Sequence, residues 1–308
     1  MSGISYELRQ KAESLRSDRR PFVTATVVRA DKPTSAKAGD TALVLDDGTV
    51  IGFVGGECAH TSVQVQGLAT LTTGEPVLLR ITPDAAAPGE VAQEIEAGTV
   101  TVHNPCLSGG ALEIFLEPSV PPLLVVVYGE APIARAVREL TAWLGFDSKP
   151  GGDDVGPDAD AVVIASHGGP ETALIRQALQ AGVPYVGLIA SPRRGGAVLR
   201  ELALGETDLA RVHTPAGIDI GCRTPEEVAL SVLAEIVSSR PRSRRAARPG
   251  PGAEPSVDVP VATDPVCHMS VAAVESSLSR DHEGTRYFFC GPGCEQAFRA
   301  DPDAFVQG

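Results

Sequence analysis

A chain of 308 residues with 43% apolar and 21% charged side chains is too long for one ordinary core and too apolar to be disordered throughout, so it suits two domains and an appendage. A formal net charge of −13 argues against nucleic acid as the main partner, since phosphate backbones need clustered Lys and Arg; a small anion can still be bound locally. The longest apolar run, Leu123 to Tyr128, is far short of the roughly 20 residues that cross a bilayer, and the charged opening lacks the apolar block of a secretory signal, so a cytoplasmic protein without a membrane span is expected.

The chain opens on a predicted helix, about Tyr6 to Arg16, with Leu8, Ala12 and Leu15 on one face, and runs into the β-branched strand PFVTATVVRA. TALVLDDGTVIGFVGG reads as two strands around the hairpin signal Asp47-Gly48. A helix from about Cys58 to Thr73 and strands at PVLLRI, GTVTVH and LEIFLEP complete a mixed α+β domain, residues 1–119. Two of its loops carry cysteine beside paired glycines. Val54-Gly55-Gly56-Glu57-Cys58-Ala59-His60 lies where a strand meets a helix, where bare backbone lets a ligand approach, free N–H groups attract anions and a thiol ionises more readily. Asn104-Pro105-Cys106-Leu107-Ser108-Gly109-Gly110 repeats the association between two strands. Two such loops can converge on one ligand; the plainer alternative is that the glycines make turns and Cys58 and Cys106 fill the core.

From Pro121 strands and helices alternate. LLVVVYG and DADAVVIAS are continuous apolar strands, each followed by a helix, the second helix carrying Leu174, Ile175, Ala178 and Leu179 as one stripe. PYVGLIAS, a helix around Gly196 to Leu204, and a last helix from Pro225 to Val237 follow. Thr224-Pro225-Glu226-Glu227 supplies that last helix with a capping box. Residues 120–239 are therefore expected to form a doubly wound parallel sheet. Its ligand sites belong beyond the carboxyl ends of the strands, where His167 follows one strand beside glycines and Arg193 and Arg194 follow another; the alternatives are a histidine satisfied by backbone and a solvated basic turn. A dinucleotide fingerprint is not convincing: Gly129-Glu130-Ala131-Pro132-Ile133-Ala134 keeps one glycine, and GFDSKPGGDDVG reads as a turn rather than a second strand ending in an acid. Cys222, His103 and His213 have no ligand spacing, and a structural role is expected of them.

Residues 240–262, rich in Pro, Gly, Ser and Arg and without hydrophobic period, read as a linker. The last stretch, 263–308, is short enough to need a metal or a disulfide. Cys290 and Cys294 flank a Gly-Pro-Gly turn at a helix start, with Cys267 in a preceding loop, which suits zinc or another soft divalent or monovalent cation such as copper. A disulfide or unligated thiols is the competing reading.

PTSAKAGDTALVLDDGTVIGFVGGECAHTSV followed by PCLSGGALEIFLEP resembles the N-terminal domain of the XdhC/CoxI family, maturation proteins of xanthine dehydrogenase and carbon monoxide dehydrogenase. LLVVVYGEAPIARAV, YVGLIASPRR and AGIDIGCRTPEEVALSVLAEI extend the resemblance through the Rossmann-like second domain, over about residues 20 to 238. Asp264 to Met269 with Tyr287 to Phe298 and the trailing Asp301 to Phe305 resembles a YHS domain.

The resemblance implies an α/β protein of three parts that binds molybdenum cofactor, as molybdopterin or its dinucleotide form, and assists its sulfuration or insertion. The partners would be an apo molybdenum hydroxylase and a sulfur donor such as a cysteine desulfurase, with room for a homodimer. Cys58 and Cys106 would face the molybdenum or carry sulfur, Gly55, Gly56, Ser108, Gly109 and Gly110 would line the pocket, and His167, Arg193 and Arg194 would meet the cofactor's anionic groups from the second domain. His60 departs from the pattern, which carries a carboxylate there. In the YHS part the resemblance implies Cys267, Cys290, Cys294 and His268 as metal ligands. Such a chaperone need not turn anything over; the rivals are an NAD(P)-dependent oxidoreductase using the second domain and a metal-responsive module centred on the tail.

Overall fold

The computed structural model describes residues 5–83, 98–103, 110–152, 155–166, 169–239 and 260–306, together with the backbone of 93–96. It divides into two compact units, residues 122–242 forming one and the remainder the other.

In the first unit, helix α1 (Tyr6–Ser17) leads into strands β1 (Phe22–Asp31), β2 (Thr41–Leu45) and β3 (Val50–Gly52), then helix α2 (Glu57–Thr73), β4 (Val77–Thr82), β5 (Gln93–Glu96), β6 (Thr99–His103) and β7 (Ala111–Ser119). The strands make one seven-stranded sheet in the order β3-β2-β1-β7-β4-β6-β5, antiparallel except between β4 and β6. Alternation along β1 and β2 sends Phe22, Leu43 and Leu45 toward Leu8, Ala12 and Leu15 of α1, and Val23, Ala25, Ala42 and Val44 toward Ala59 and Val63 of α2. With a helix on each face, β2 is buried along its whole length, which is why TALVL lacks a polar side.

The second unit is a five-stranded parallel sheet, order β12-β11-β10-β8-β9, built in sequence from β8 (Leu124–Tyr128), α3 (Pro132–Trp143), β9 (Asp147–Pro150), β10 (Ala161–Ile164), α4 (Glu171–Gln180), β11 (Tyr185–Leu188), α5 (Pro192–Leu202), α6 (Glu206–Leu209), β12 (Val212–His213) and α7 (Pro225–Ser239). Val125 and Val127 pack toward α3 and α7; Leu124, Val126 and Tyr128 toward α4 and α5. The sheet is thus doubly wound and Rossmann-like, as the alternating pattern implies. The structure differs from the sequence reading in α6 and β12, which that reading lacked, and in two further details. Residues 147–150 form a strand, β9, held at the sheet edge by backbone bonds such as Asp147 N–H to the Leu123 carbonyl at 2.8 Å; an edge strand with exposed side chains has no apolar run to betray it. Helix α5 begins at Pro192 rather than near Gly196, because the Ser191 hydroxyl accepts from the Arg194 N–H at 3.4 Å and caps it there. The capping box of α7 is present, with Thr224 Oγ1 accepting from the Glu227 N–H at 3.3 Å and Glu227 Oε2 from the Thr224 N–H at 3.1 Å.

The C-terminal segment belongs to the first unit. It comprises β13 (Val261–Thr263) paired with β14 (Ser270–Ala272), β15 (Ser279–His282) paired with β16 (Thr285–Phe288), then α8 (Pro292–Ala300) and α9 (Asp303–Val306). Its small core is Val271, Ala272, Phe289 and Phe298, the last two rings 5.2 Å apart. No helix among the described residues is long and apolar enough to cross a membrane.

Candidate metal centre and thiol loop

The residues with the clearest ligand chemistry lie in the C-terminal segment. The turn between β13 and β14 carries Cys267, and the junction of β16 with α8 carries Cys290 and Cys294, four apart across the first turn of a helix that starts at Pro292. Their sulfurs are 3.5 Å (Cys267 to Cys290) and 3.6 Å (Cys290 to Cys294) apart, too far for a disulfide. A tetrahedral ion with metal–sulfur bonds of about 2.3 Å asks for separations of about 3.8 Å. The thiols therefore fit such an ion to within a few tenths of an ångström. The fourth member is Asp264, fully buried, whose carboxylate lies with the three sulfurs inside a 4.8 Å group.

Asp264 also organises the site. Its Oδ1 accepts the Val266 N–H at 2.8 Å and the Cys267 N–H at 3.4 Å, while Oδ2 accepts the Cys290 N–H at 2.7 Å, so one side chain ties both cysteine-bearing segments together. Burial pushes this carboxyl up, but the N–H donors of Cys290 and Val266 outweigh it and leave it below its ordinary value. Among the thiols, the hydrogen bond with Cys290 draws Cys267 down against the opposing effect of burial, and Cys290 is raised by the same bond, so the two titrate as a pair. Burial raises Cys294 to about 12. A bound cation would supply the charge that lets all three ionise. His268, expected in the ligand set, is exposed in a left-handed conformation (φ 63°) and lies outside the group, in which Asp264 accompanies the three cysteines. Sequence reading missed Asp264, although Asp-Pro three residues before a cysteine is a turn signal that points to it.

In the first domain, Gly55 has φ 137° and a Cβ there would sit 2.9 Å from the Ala59 Cβ and 3.2 Å from Leu112 Cδ1, so the strand-to-helix corner requires glycine. Gly56 caps α2 with nothing within 4 Å of its Cβ position, leaving open space at the helix start. Cys58 lies in the first turn of α2, half-buried, its carbonyl accepting from Ser62 Oγ at 3.0 Å. Cys106, Ser108 and Gly109 lie outside the described residues. Gly110, which follows them, is pressed against the Pro33 carbonyl, while the Cβ position of Gly55 is 3.9 Å from Ala36. Gly110 and the Gly55 corner thus border the same segment, residues 33–36, which opens the first family motif.

In the second unit His167 lies outside the described residues. Arg193 is exposed on the first turn of α5, but Arg194 is engaged: its guanidinium pairs with Glu171, whose side chain is 7% exposed, and donates to the Ser166 carbonyl at 3.1 Å. This pair bonds the start of α4 to that of α5. A cavity of about 490 Å³, lined by Tyr128, Gly129, Gly152, Ser166, Leu174 and Gln177, opens at the carboxyl ends of β8 and β10, the switch point of the strand order. Buried Tyr185 and half-buried His213 and Glu235 form a separate cluster: Tyr185 donates to Glu235 Oε2 at 2.7 Å and stacks on His213 at 4.4 Å. His103 Nδ1 meets Thr82 Oγ1 at 3.1 Å and Cys222 donates to the Glu227 carbonyl at 3.3 Å.

Three family models match this chain: XdhC and CoxI family over residues 15–82, XdhC Rossmann domain over 125–236, and YHS domain over 262–308. The uncharacterized protein YqeB of Escherichia coli (strain K12) is 28% identical over 260 residues, covering 74% of this chain and 45% of that protein. A Bacillus subtilis (strain 168) protein described as a probable xanthine dehydrogenase component is 33% identical over 86 residues, covering 28% of this chain and 25% of its own. The chain therefore spans less than half the length of these curated relatives. A solved structure described as a xanthine dehydrogenase from Bacillus halodurans aligns with 76% of this chain and 97% of its own, at 14% identity and a TM-score of 0.35.

Proposed function

From the premise that the chain carries the two domains of the XdhC and CoxI family and a YHS domain, we propose that it acts in the cytoplasm in the maturation of a xanthine dehydrogenase-type molybdenum hydroxylase, as a chaperone for the molybdenum cofactor. The cofactor is cargo here, with its molybdenum serving the recipient enzyme. The observation that supports this reading most is the approach of the Gly55 corner and the Gly110 end of the second loop to residues 33–36, which puts the anchors of both cysteine loops on one edge of the first domain. The open start of α2 at Gly56 offers backbone N–H groups to a phosphate, and Cys58 in the same turn offers a thiol to the metal or to a sulfur atom in transit. Cys106 would supply the second thiol. In the second domain the exposed Arg193 is the arginine left for an anion.

The C-terminal centre would hold a soft cation on Cys267, Cys290 and Cys294, with Asp264 fixing the loops, and would carry it as a resident metal. The apo-hydroxylase and a sulfur donor are the partners this role requires. A second reading is favoured by the cavity at the carboxyl ends of β8 and β10 beside the edge strand β9: a nucleotide bound there, whether the dinucleotide part of the cofactor or a nicotinamide.

Pterin fluorescence and elemental analysis on the purified full chain, with Cys58→Ala and Cys106→Ala beside it, test the proposal. Retention of pterin by the wild type and its loss in both variants, at stability changes within about 1 to 2 kcal/mol, is expected. Tight binding of NAD(H) with no pterin would overturn it in favour of the oxidoreductase reading.

A further inference from the structure

We propose that the C-terminal module is a metal-dependent cover for helix α2, so that loading of its thiol cluster is transmitted to the helix start that bears Cys58. The first observation is the burial of α2 on every side from Thr61 to Thr70. Ala59 and Val63 face the sheet, but Thr61, Gln64, Val65 and Leu68 on the opposite face are also no more than 9% exposed. The module covers them. Ala272 and Val274 pack on Val65, Leu68 and Ala69. Thr61 Oγ1 donates to the Cys290 carbonyl at 2.9 Å, Ser277 Oγ to Gln64 Oε1 at 3.4 Å, and Ser276 Oγ to the Asp47 carbonyl at 2.8 Å. A buried Gln or Thr without such partners is costly, so this face of α2 is shaped for an occupant.

The second observation is that the contact surface and the cluster share a residue. Cys290 places its sulfur among the ligand atoms, its N–H on Asp264 and its carbonyl on Thr61, and the next residue, Gly291, lies so close to α2 that a Cβ there would be 3.2 Å from the Glu57 Cβ. Glu57 is the neighbour of Cys58. A segment this small, with four buried apolar side chains of which Ala272 packs on α2, depends on an ion to hold the 264–268 and 290–294 turns in register. Metal binding therefore creates the surface that docks, and by linkage docking strengthens metal binding by the same factor. This goes beyond the cofactor reading and does not rest on it, because neither partner in the contact is the cargo.

Hydrogen exchange read by mass spectrometry on the full chain, with and without zinc, tests the proposal. Zinc is expected to slow exchange by about fivefold or more both within 264–300 and along 57–68, the low end of ordinary coupling between sites. In Thr61→Val, which removes the donor to Cys290, and in Ser276→Asp, which sets a carboxylate against the Asp47 carbonyl from the module side, zinc should still protect 264–300 while its effect on 57–68 falls away. Ser276→Asp changes nothing in the first domain, so it remains informative if Thr61→Val is poorly folded. Protection confined to 264–300 in the wild type, or no protection by zinc anywhere, overturns the proposal. Pterin content plays no part in any arm, so failure of the cofactor reading would be seen separately.

Discussion

Replacing Arg194 by Ala separates an anion-binding arginine from a structural one. The guanidinium sits between the Glu171 carboxylate and the Ser166 carbonyl, with the arginine side chain 35% and the glutamate side chain 7% exposed. Removing the arginine strands the buried partner. Breaking a fully buried pair this way costs roughly 3–5 kcal/mol. Two features lower that figure: the pair has one solvated member, and Glu171 opens helix α4, where the free N–H groups stabilise a negative charge. A cost of about 2 kcal/mol remains, or roughly 5–10 °C in melting temperature for a unit of this size. Glu171→Gln should cost less, about 1 kcal/mol, since water can reach the orphaned arginine. The double variant should be less destabilised than the sum, with a coupling of about 1 kcal/mol. Thermal melts of the four proteins give the cycle, and calorimetric titration with pyrophosphate gives the anion affinity. An Arg194→Ala protein that melts with the wild type but has lost pyrophosphate binding would refute the structural assignment, whereas Arg193→Ala is the variant expected to behave in that way.

The paired glycines at the start of α2 should respond differently to substitution. Gly55→Ala must hold φ near 137° against Ala59 and should lose about 2 kcal/mol or more, while Gly56→Ser, with an extended φ of −69° and open space, should stay within about 0.5 kcal/mol and can gain a helix cap. Equal urea midpoints for the two would show that the corner is not strained. Tyr185→Phe removes the donor to Glu235 and should cost about 1.5–3 kcal/mol near neutral pH. Burial and that carboxylate raise the Tyr185 pKa above its unfolded value near 10, so its contribution is whole below pH 10 and is lost as pH rises beyond it, by roughly 1.4 kcal/mol per unit. Urea titrations at pH 7 and pH 11 should therefore show the wild type losing its advantage over the variant; parallel losses would count against the assignment.

Much of the fold is legible from periodicity because its elements are long or apolar on the faces they bury. LVVVY and AVVI read as buried strands and are; Leu8, Ala12 and Leu15 read as one helical face and pack as one. The capping box at Thr224 is local chemistry and needs no tertiary partner. Strand β9 escaped because it is defined by backbone pairing at a sheet edge, and the Glu171 partner of Arg194 was not legible because it lies 23 residues away on another helix. The three thiols of the tail stand out as candidate metal ligands by type and spacing alone, whereas the place of Asp264 beside them and of His268 outside the group depends on how the turn folds.

Residue chemistry carried along the chain is therefore enough to read most of the long helices and apolar strands of the two large domains, the family motifs and the cysteine grouping of the tail, for these rest on periodicity, composition and spacing. Tertiary structure alone decided that the tail is seated on α2, with Thr61 and Gln64 bonded to residues more than 200 positions away, and that residues 33–36 lie beside both Gly55 and Gly110. Such contacts join segments whose sequences leave each partner unspecified, and only the burial of one surface against another selects them.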